Sequence, residues 1–279
     1  MKKELRSGRS YGFSQGRLTR SPNHQLQWFP QDKWREEFSY AAKLGCSFIE
    51  LLIERERNNR NPVWSPSGRT EILHQFTKNG LTPHSLCFDY IIDHSIINDI
   101  DKTTYASLIE CLTIAAELKC KVVILPLMEA SSLTIENMKD MANLLTKVGL
   151  TAKSYEISLC IEALLPAEEL NKFLNIINMK HVKAVFDTGN RVVESFNLKQ
   201  EIIKLAKNIG HVHIKDKNKF GENVVLGSGL VDFCEVFEAL NAISYQGPLN
   251  FETHRGASPL YTAEHNITLC EFFNRNSIV

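Results

Sequence analysis

Residues 121–163 contain one repeat of the pattern that runs through the whole chain, in the sequence KVVILPLMEASSLTIENMKDMANLLTKVGLTAKSYEISLCIEA. The apolar run Lys121–Pro126 predicts a buried strand, and Leu133–Val148 has the apolar spacing of a helix. Ser158–Ala163 then predicts a second strand. A helix between two buried strands indicates that the strands are parallel and joined by a crossover connection.

The same alternation predicts six further strands along the chain. Together the eight predicted strands are Tyr11–Arg17, Phe48–Ile53, Pro83–Phe88, Lys121–Pro126, Ser158–Ala163, Val182–Phe186, His211–Lys215 and Pro248–Glu252. Other segments with helical periodicity are Asp32–Leu44, Thr103–Leu118 and Leu230–Asn241. Eight strand–helix units in about 250 residues predict an α/β fold, a (β/α)8 TIM barrel, with an open doubly wound sheet as the alternative. No linker interrupts the alternation, so we predict a single domain over residues 1–279.

The composition excludes several classes of function. The 279 residues carry 32 Lys and Arg against 32 Asp and Glu, a net charge of zero. This balance argues against a nucleic acid or an anionic membrane as partner, since both attract strongly basic proteins. No G-x-G-x-x-G follows an early strand and no G-x-x-x-x-G-K-[ST] is present, so the usual nucleotide-binding versions of the alternating fold lack support.

The cysteines and the first residues predict a cytoplasmic protein. The seven cysteines are scattered and form no C-x-x-C pair, unlike a secreted disulfide framework or a zinc ribbon. The opening MKKELRSGRSYGF has positive charge but no apolar stretch behind it, so we expect no signal peptide. No run of 18 apolar residues is present to span a membrane.

Polar residues stand at the carboxyl ends of the last four predicted strands. Glu162, Asp187, His213 and Glu252 occupy these positions in LCIEALL, AVFDTGN, HVHIKD and LNFETHR. In a barrel these ends meet at one rim, where catalytic groups lie. Three carboxylates would repel one another there, and a divalent cation would remove that cost. Oxygen ligands with one nitrogen suit Mn²⁺, Mg²⁺, Co²⁺ or Zn²⁺. Of His211 and His213, we expect one to face the barrel interior and the other the helices.

The segments IEALLP, FDTGN, HVHIKD, LGSGLVDF and LNFETHR, in this order, resemble the sugar-phosphate isomerase/epimerase family of xylose-isomerase-like barrels. That family includes the ketose 3-epimerases, hydroxypyruvate isomerase, inosose dehydratase and, more distantly, endonuclease IV. The N-terminal GFSQGRL and FPQDKWREEFSYAAKLGCSFIEL are similar too. The resemblance implies one divalent cation held by Glu162, Asp187, His213 and Glu252, with the second histidine of HVHIKD as the ligand.

The same resemblance implies a reaction and a substrate class. Glu162 and Glu252 would be the acid/base pair on either side of a sugar or sugar phosphate. One would remove a proton from the carbon next to a carbonyl and the other would return one, through an enediolate whose charge the cation stabilises. Delivery to the opposite face epimerises, and delivery to the neighbouring carbon isomerises. The sequence leaves open which glutamate acts first.

Five further residues are candidates for substrate binding. Lys215 would neutralise an oxyanion or a phosphate, or else pair with a rim carboxylate. Asn190 stands where many family members have a histidine. Glu168 resembles a substrate-contacting position of the ketose 3-epimerases, although a solvated helix start is the simpler interpretation. His84 points into the cavity or into the core. Arg255 is a candidate ligand for a phosphate.

Other functions remain open at this level. A dehydratase uses the same chemistry with a leaving hydroxyl, and a sugar-binding barrel would not turn over. An endonuclease IV-like nuclease needs extra histidines to hold three zincs, and residues 214–229 contain none. Members of the family are often oligomers, so a homo-oligomer is an expectation by analogy.

Overall fold

The computed structural model describes residues 8–22 and 25–276, and its centre is a closed barrel of eight parallel strands in chain order. The strands are β1 (Tyr11–Ser14), β2 (Phe48–Ile53), β3 (Ser85–Phe88), β4 (Val122–Pro126), β5 (Ser158–Glu162), β6 (Val182–Asp187), β7 (Ile209–Ile214) and β8 (Leu249–Phe251). All eight predicted strands are present, and the barrel is confirmed over the open sheet because β1 pairs with β8.

Within the described residues, ten helices surround the barrel. They are α1 (Trp34–Lys43), α2 (Pro66–Asn79), α3 (Tyr90–Asp93), α4 (Thr103–Glu117), α5 (Met138–Ser154), α6 (Ala167–Ile177), α7 (Thr188–Val193), α8 (Leu198–Leu205), α9 (Phe233–Ala242) and α10 (Pro259–Asn276). Short 3₁₀ turns lie at Pro62–Trp64, Glu129–Ser131 and Ala206–Asn208. None of the described helices is long and apolar enough to cross a membrane.

Several predicted boundaries differ from the structure by a few residues, and two of the differences have a clear local reason. The first strand ends at Ser14 instead of Arg17, because the chain turns at Gly16 with a φ of 88° and the Arg17 amide donates to the Ser14 carbonyl. The helix predicted from Leu133 begins at Met138. There the amide of Thr134 donates to the Asn137 side chain and the amide of Asn137 donates to the Thr134 hydroxyl, which hold a turn before the helix.

The core has two layers with different compositions. The main apolar core lies between the outer faces of the strands and the helices. A smaller apolar cluster fills part of the barrel interior and consists of Leu52, Cys87, Val122, Ile124, Cys160 and Val185. The rest of the interior is polar, since Glu50 of β2 and both histidines of β7 are fully buried there. The polar interior leads directly to the carboxyl rim.

Candidate metal centre and substrate cavity

The four residues at the ends of the last strands converge on one point. Nδ1 of His213 lies 3.4 Å from Oε2 of Glu252, 3.6 Å from Oε2 of Glu162 and 3.8 Å from Oδ2 of Asp187. One ligand atom from each of the four lies within 4.8 Å of the others, and all four side chains are buried. The register of the barrel explains the closeness, because Asp187 pairs with His213 across β6 and β7.

Asp187 shows that the cluster fits a cation. Its Oδ1 accepts a 2.6 Å hydrogen bond from the amide of Asn190 and so caps α7. Its Oδ2 is buried without a hydrogen bond of good geometry, although Nζ of Lys215 lies 3.1 Å away. Three carboxylates and an imidazole nitrogen that converge on one point are a suitable ligand set for one divalent ion. The residues present therefore fit the cation that the sequence predicts.

The two glutamates of the cluster have unequal surroundings. Glu252 is 2.6 Å from Nζ of Lys215 and 3.2 Å from Nη2 of Arg17, and it accepts a 2.9 Å hydrogen bond from Gln27. Burial opposes its ionisation, but Lys215, His213 and Arg17 outweigh burial and hold the pKa of Glu252 well below its usual range. Glu252 is therefore held as a carboxylate.

Glu162 has weaker support for its charged form. Its Oε1 accepts one hydrogen bond, of 2.8 Å, from Nδ2 of Asn190. Burial, and then the neighbouring charge of Asp187, raise the pKa of Glu162 to about 7. In the absence of a cation, Glu162 is thus the member of the pair that binds a proton more readily.

Glu50 supports the cluster from inside the barrel, and the sequence analysis missed it. Its Oε1 lies 3.1 Å from Nε2 of His213, the nitrogen that faces away from the carboxylates. This contact favours a proton on Nε2 and leaves Nδ1 free as a ligand. The signal was an acidic residue inside the apolar strand FIELLI, where a parallel strand is normally apolar throughout.

The prediction that His211 and His213 face opposite sides was wrong. Residues two apart on a strand point to the same side. Both histidines face the barrel interior, and Nε2 of His211 lies 3.0 Å from Oε2 of Glu50. His213 alone of the two lies next to the rim carboxylates.

A cavity of about 180 Å³ opens above the cluster. It is lined by Glu162, His213 and Glu252, by Asn190 of α7, and by loop residues that include Gln27, Arg55, Asp89, Lys215, Lys217 and Asn223. Lys215 and Asn190, two of the five predicted substrate-binding residues, are thus at the cavity. Arg55 is paired with Asp93 and Glu129 on one wall.

The structure does not bring the other three predicted substrate-binding residues to this cavity. Glu168 lies at the start of α6 with its side chain 70% exposed, 3.4 Å from Nζ of Lys172. His84 precedes β3, so it lies at the amino end of the barrel, where it packs on Phe48 and His211. These placements correct the expectations for Glu168 and His84, because neither side chain lines the rim cavity.

Arg255 binds backbone carbonyl oxygens and not, as predicted, a phosphate. Its guanidinium donates to the carbonyl oxygens of Gly16, Gln25 and Leu26 at 2.6, 2.6 and 2.9 Å. It therefore uses its donors to hold the loop after β1, and that loop carries Arg17 and Gln27 to Glu252. Arg255 fastens the loop and is not free to bind a phosphate.

Comparison with known proteins agrees with this architecture. Residues 38–271 match the family described as xylose isomerase-like TIM barrel. The chain belongs to this family. A D-psicose 3-epimerase of Enterocloster bolteae is 34% identical over 80 residues, which are 29% of this chain and 25% of that protein. L-ribulose-5-phosphate 3-epimerase UlaE of Escherichia coli is 24% identical over 238 residues, 78% of this chain and 81% of the relative.

The solved structures confirm the fold of this xylose isomerase-like barrel. D-psicose 3-epimerase with D-tagatose from Clostridium cellulolyticum H10 superimposes with a TM-score of 0.76. The match covers 95% of this chain and 99% of that one, at 16% sequence identity. At this identity the similarity establishes the barrel architecture, and the function has to be argued from the site.

Proposed function

We propose that the protein is a metal-dependent epimerase or isomerase of a ketose or ketose phosphate. The observation that carries the proposal is the pair Glu162 and Glu252, which flank Asp187 and His213 at the base of a cavity of about 180 Å³. A sugar is rich in hydroxyl groups, and this cavity is lined mainly by polar side chains. The epimerases among the relatives support the same class of reaction.

Glu162, Asp187, His213 and Glu252 would hold the cation. When bound, a divalent cation draws electron density from a carbonyl oxygen and so makes the neighbouring C–H more acidic. Lys215 adds a fixed positive charge, since its ammonium group lies 3.1 Å from Asp187 and 2.6 Å from Glu252. These charges favour a substrate that gains negative charge on oxygen as its proton leaves.

The two glutamates would exchange the proton with the substrate. One carboxylate takes the proton from carbon beside the carbonyl, and the other carboxyl group returns a proton to the opposite face or to the neighbouring carbon. Because the reaction is reversible, each glutamate serves as base in one direction and as acid in the other. Asn190 orients Glu162, and Arg17 with Gln27 orients Glu252.

The test is solvent deuterium wash-in followed by NMR. The Mn²⁺-loaded protein is incubated in D₂O with ketopentoses, ketohexoses and their phosphates, and the loss of each C–H signal is recorded. We expect exchange at the carbon next to the carbonyl, with a loss of about 10³-fold or more in Glu162→Gln and Glu252→Gln. Glu264→Gln, an exposed change on α10, should exchange at the wild-type rate.

Three outcomes would contradict this proposal. Exchange that persists in Glu252→Gln or after chelation would remove the glutamate or the cation from the reaction. Loss of water with appearance of an unsaturated product would indicate a dehydratase. Absence of exchange on every sugar, with Mn²⁺ bound, would indicate a protein that binds its ligand without turnover.

A further inference from the structure

A short hairpin after β7 forms one end of the cavity. Lys217 and Asn223 face each other as an isolated antiparallel bridge, and the amide of Asn218 donates to the carbonyl of Glu222 at 3.0 Å. The turn closes at Gly221, whose φ of 78° lies in the left-handed region that favours glycine. The hairpin therefore places the side chains of Lys217 and Asn223 side by side, and both line the cavity that contains Glu162 and Glu252.

Asp216 anchors the base of this hairpin. Its buried carboxylate accepts hydrogen bonds from the amides of Gly227, Gly229 and Val231 at 3.0, 2.9 and 3.1 Å. A Cβ at Gly229 would lie 2.2 Å from Oδ1 of Asp216, so the glycine permits this close approach. The Gly-rich segment is thus folded against Asp216, and the hairpin is built on a fixed base.

Lys217 carries a positive charge that the metal centre does not require. Within the described ranges 8–22 and 25–276, Lys217 makes no salt bridge, whereas Lys215 pairs with Asp187 and Glu252. The rim carboxylates are those of Asp89, Glu162, Asp187 and Glu252. A divalent cation with Arg17 and Lys215 matches their charge, and the half-buried ammonium of Lys217 forms no ion pair with them.

Asn223 provides a second unused polar group at the same place. Its Oδ1 is buried without a hydrogen-bond partner in the described part of the chain. A buried polar atom without a partner is costly, and a ligand that bonds to it removes the cost. The terminal amide offers its oxygen to a hydroxyl or, after a half-turn, its NH₂ group to an anionic oxygen.

We propose that Lys217 and Asn223 form a subsite for a terminal anionic group of the substrate, a phosphate or a carboxylate. This deepens the proposed function: the reacting carbons would lie at Glu162 and Glu252, and the anion at the hairpin. Arg55, which also lines the cavity, does not compete for the anion, because it is already neutralised by Asp93 and Glu129. An ammonium–anion hydrogen bond is stronger than a neutral one, so the subsite would select charged sugars.

The test measures binding without turnover. Ribitol, ribitol 5-phosphate and ribonate lack a ketose carbonyl, so isothermal titration of the Mn²⁺-loaded protein reports only their affinities. We expect ribitol 5-phosphate or ribonate to bind about tenfold or more tightly than ribitol, and Lys217→Met to reduce that preference to about threefold or less. The more tightly bound of the two anions identifies the group. Lys219→Met is the matched control, because this exposed lysine lies over the ring of Phe220 at the hairpin tip.

The outcomes separate this inference from the proposed function. Equal affinity for ribitol and both anions, or a preference that survives in Lys217→Met, would overturn the subsite even if ketoses exchange deuterium. A preference that Lys217→Met removes and Lys219→Met keeps would support the subsite, even if no ketose exchanges. An Asn223→Leu variant that weakens anion binding but leaves ribitol binding unchanged would support the role of the amide.

Discussion

Two buried carboxylate sites lie within about one side-chain length of each other in this barrel, and they differ in how their oxygens are satisfied. Glu50 accepts hydrogen bonds from the hydroxyls of Ser14 and Ser85, at 3.0 and 2.8 Å, and from the amide of Asn250 at 2.8 Å. Both β7 histidines lie within 3.1 Å of it as well. Burial opposes its charge, yet these histidines hold the pKa of Glu50 well below its usual range.

The rim cluster has the opposite character. Its carboxylates converge on Nδ1 of His213, and Oδ2 of Asp187 has no well-formed hydrogen bond. A buried carboxylate is stable when donors surround it, and unstable when it faces other carboxylates. The Glu50 carboxylate is therefore satisfied by donors of the protein, whereas the rim carboxylates are arranged for a cation. The difference distinguishes a structural network from a binding site made of the same residue types.

Among the variants that test this difference between the two sites, we expect Asp187→Asn to have the largest effect. Asparagine keeps an oxygen that caps α7 but removes one of the three charges that face the cation. We expect Mn²⁺ to bind about 10³-fold more weakly, roughly 4 kcal/mol, measured by isothermal titration. The helix content measured by circular dichroism should not change.

Glu238→Gln is the control for Asp187→Asn, since Glu238 is an exposed carboxylate of α9 that pairs with Lys199. Its Mn²⁺ affinity should equal that of the wild type. Unchanged Mn²⁺ binding by Asp187→Asn would show that the cation, if bound, is held elsewhere.

We expect Glu50→Gln to have a smaller effect than Asp187→Asn, but to affect both the Glu50 site and the rim cluster. The amide keeps one accepting oxygen, but its NH₂ group must face donors such as Ser14 or Ser85. We expect the free energy of unfolding of the chelated protein to fall by about 3 kcal/mol in urea titrations. Mn²⁺ affinity should fall by about 10- to 100-fold, because His213 loses the partner that orients it.

Two measurements separate these roles of Glu50. Glu56→Gln, an exposed change just beyond β2, should alter neither stability nor Mn²⁺ binding. If Glu50→Gln lowered stability but bound Mn²⁺ as tightly as the wild type, Glu50 would be structural only, and the contact with His213 would have no part in the metal centre.

Much of the fold could be predicted because buried strands appear in the sequence as runs of apolar residues. A strand covered on both faces is an apolar run, and all eight runs became strands of the barrel. The ends were less predictable, since they depend on turn contacts. Arg17 shows this, because its segment continues the pattern of β1 although the chain has already turned at Gly16.

The candidate site could be predicted only where a side chain able to bind a metal also stands at the carboxyl end of a strand. The four proposed ligands each stand at the end of a strand or next to it, so the topology alone brings them together. Glu50 was missed because it stands inside a strand and contacts residues far away in the sequence. Arg255 was misassigned because its partners are backbone carbonyls of a loop, which leave no pattern of residue types.

We expect the smallest effect from a change at His84, which lies beside the Glu50 network but makes no hydrogen bond to it. It stacks on His211 with ring centroids 5.6 Å apart, and its buried Nε2 has no hydrogen-bond partner among the described residues. Burial, and then His211, lower the pKa of His84 from 6.5 to about 4. Its neutral form therefore contributes stability that is fully present above pH 6.5 and is lost as the pH falls towards 4.

We accordingly expect His84→Gln to flatten the acid side of the stability profile. Between these two pH values the chelated wild type should lose about 2 kcal/mol of unfolding free energy that the variant does not lose, measured by urea titration at each pH. His74→Gln, a change of an exposed histidine on α2, should retain the wild-type slope. Parallel profiles for His84→Gln and the wild type would mean that water or a partner stabilises the imidazolium at the amino end.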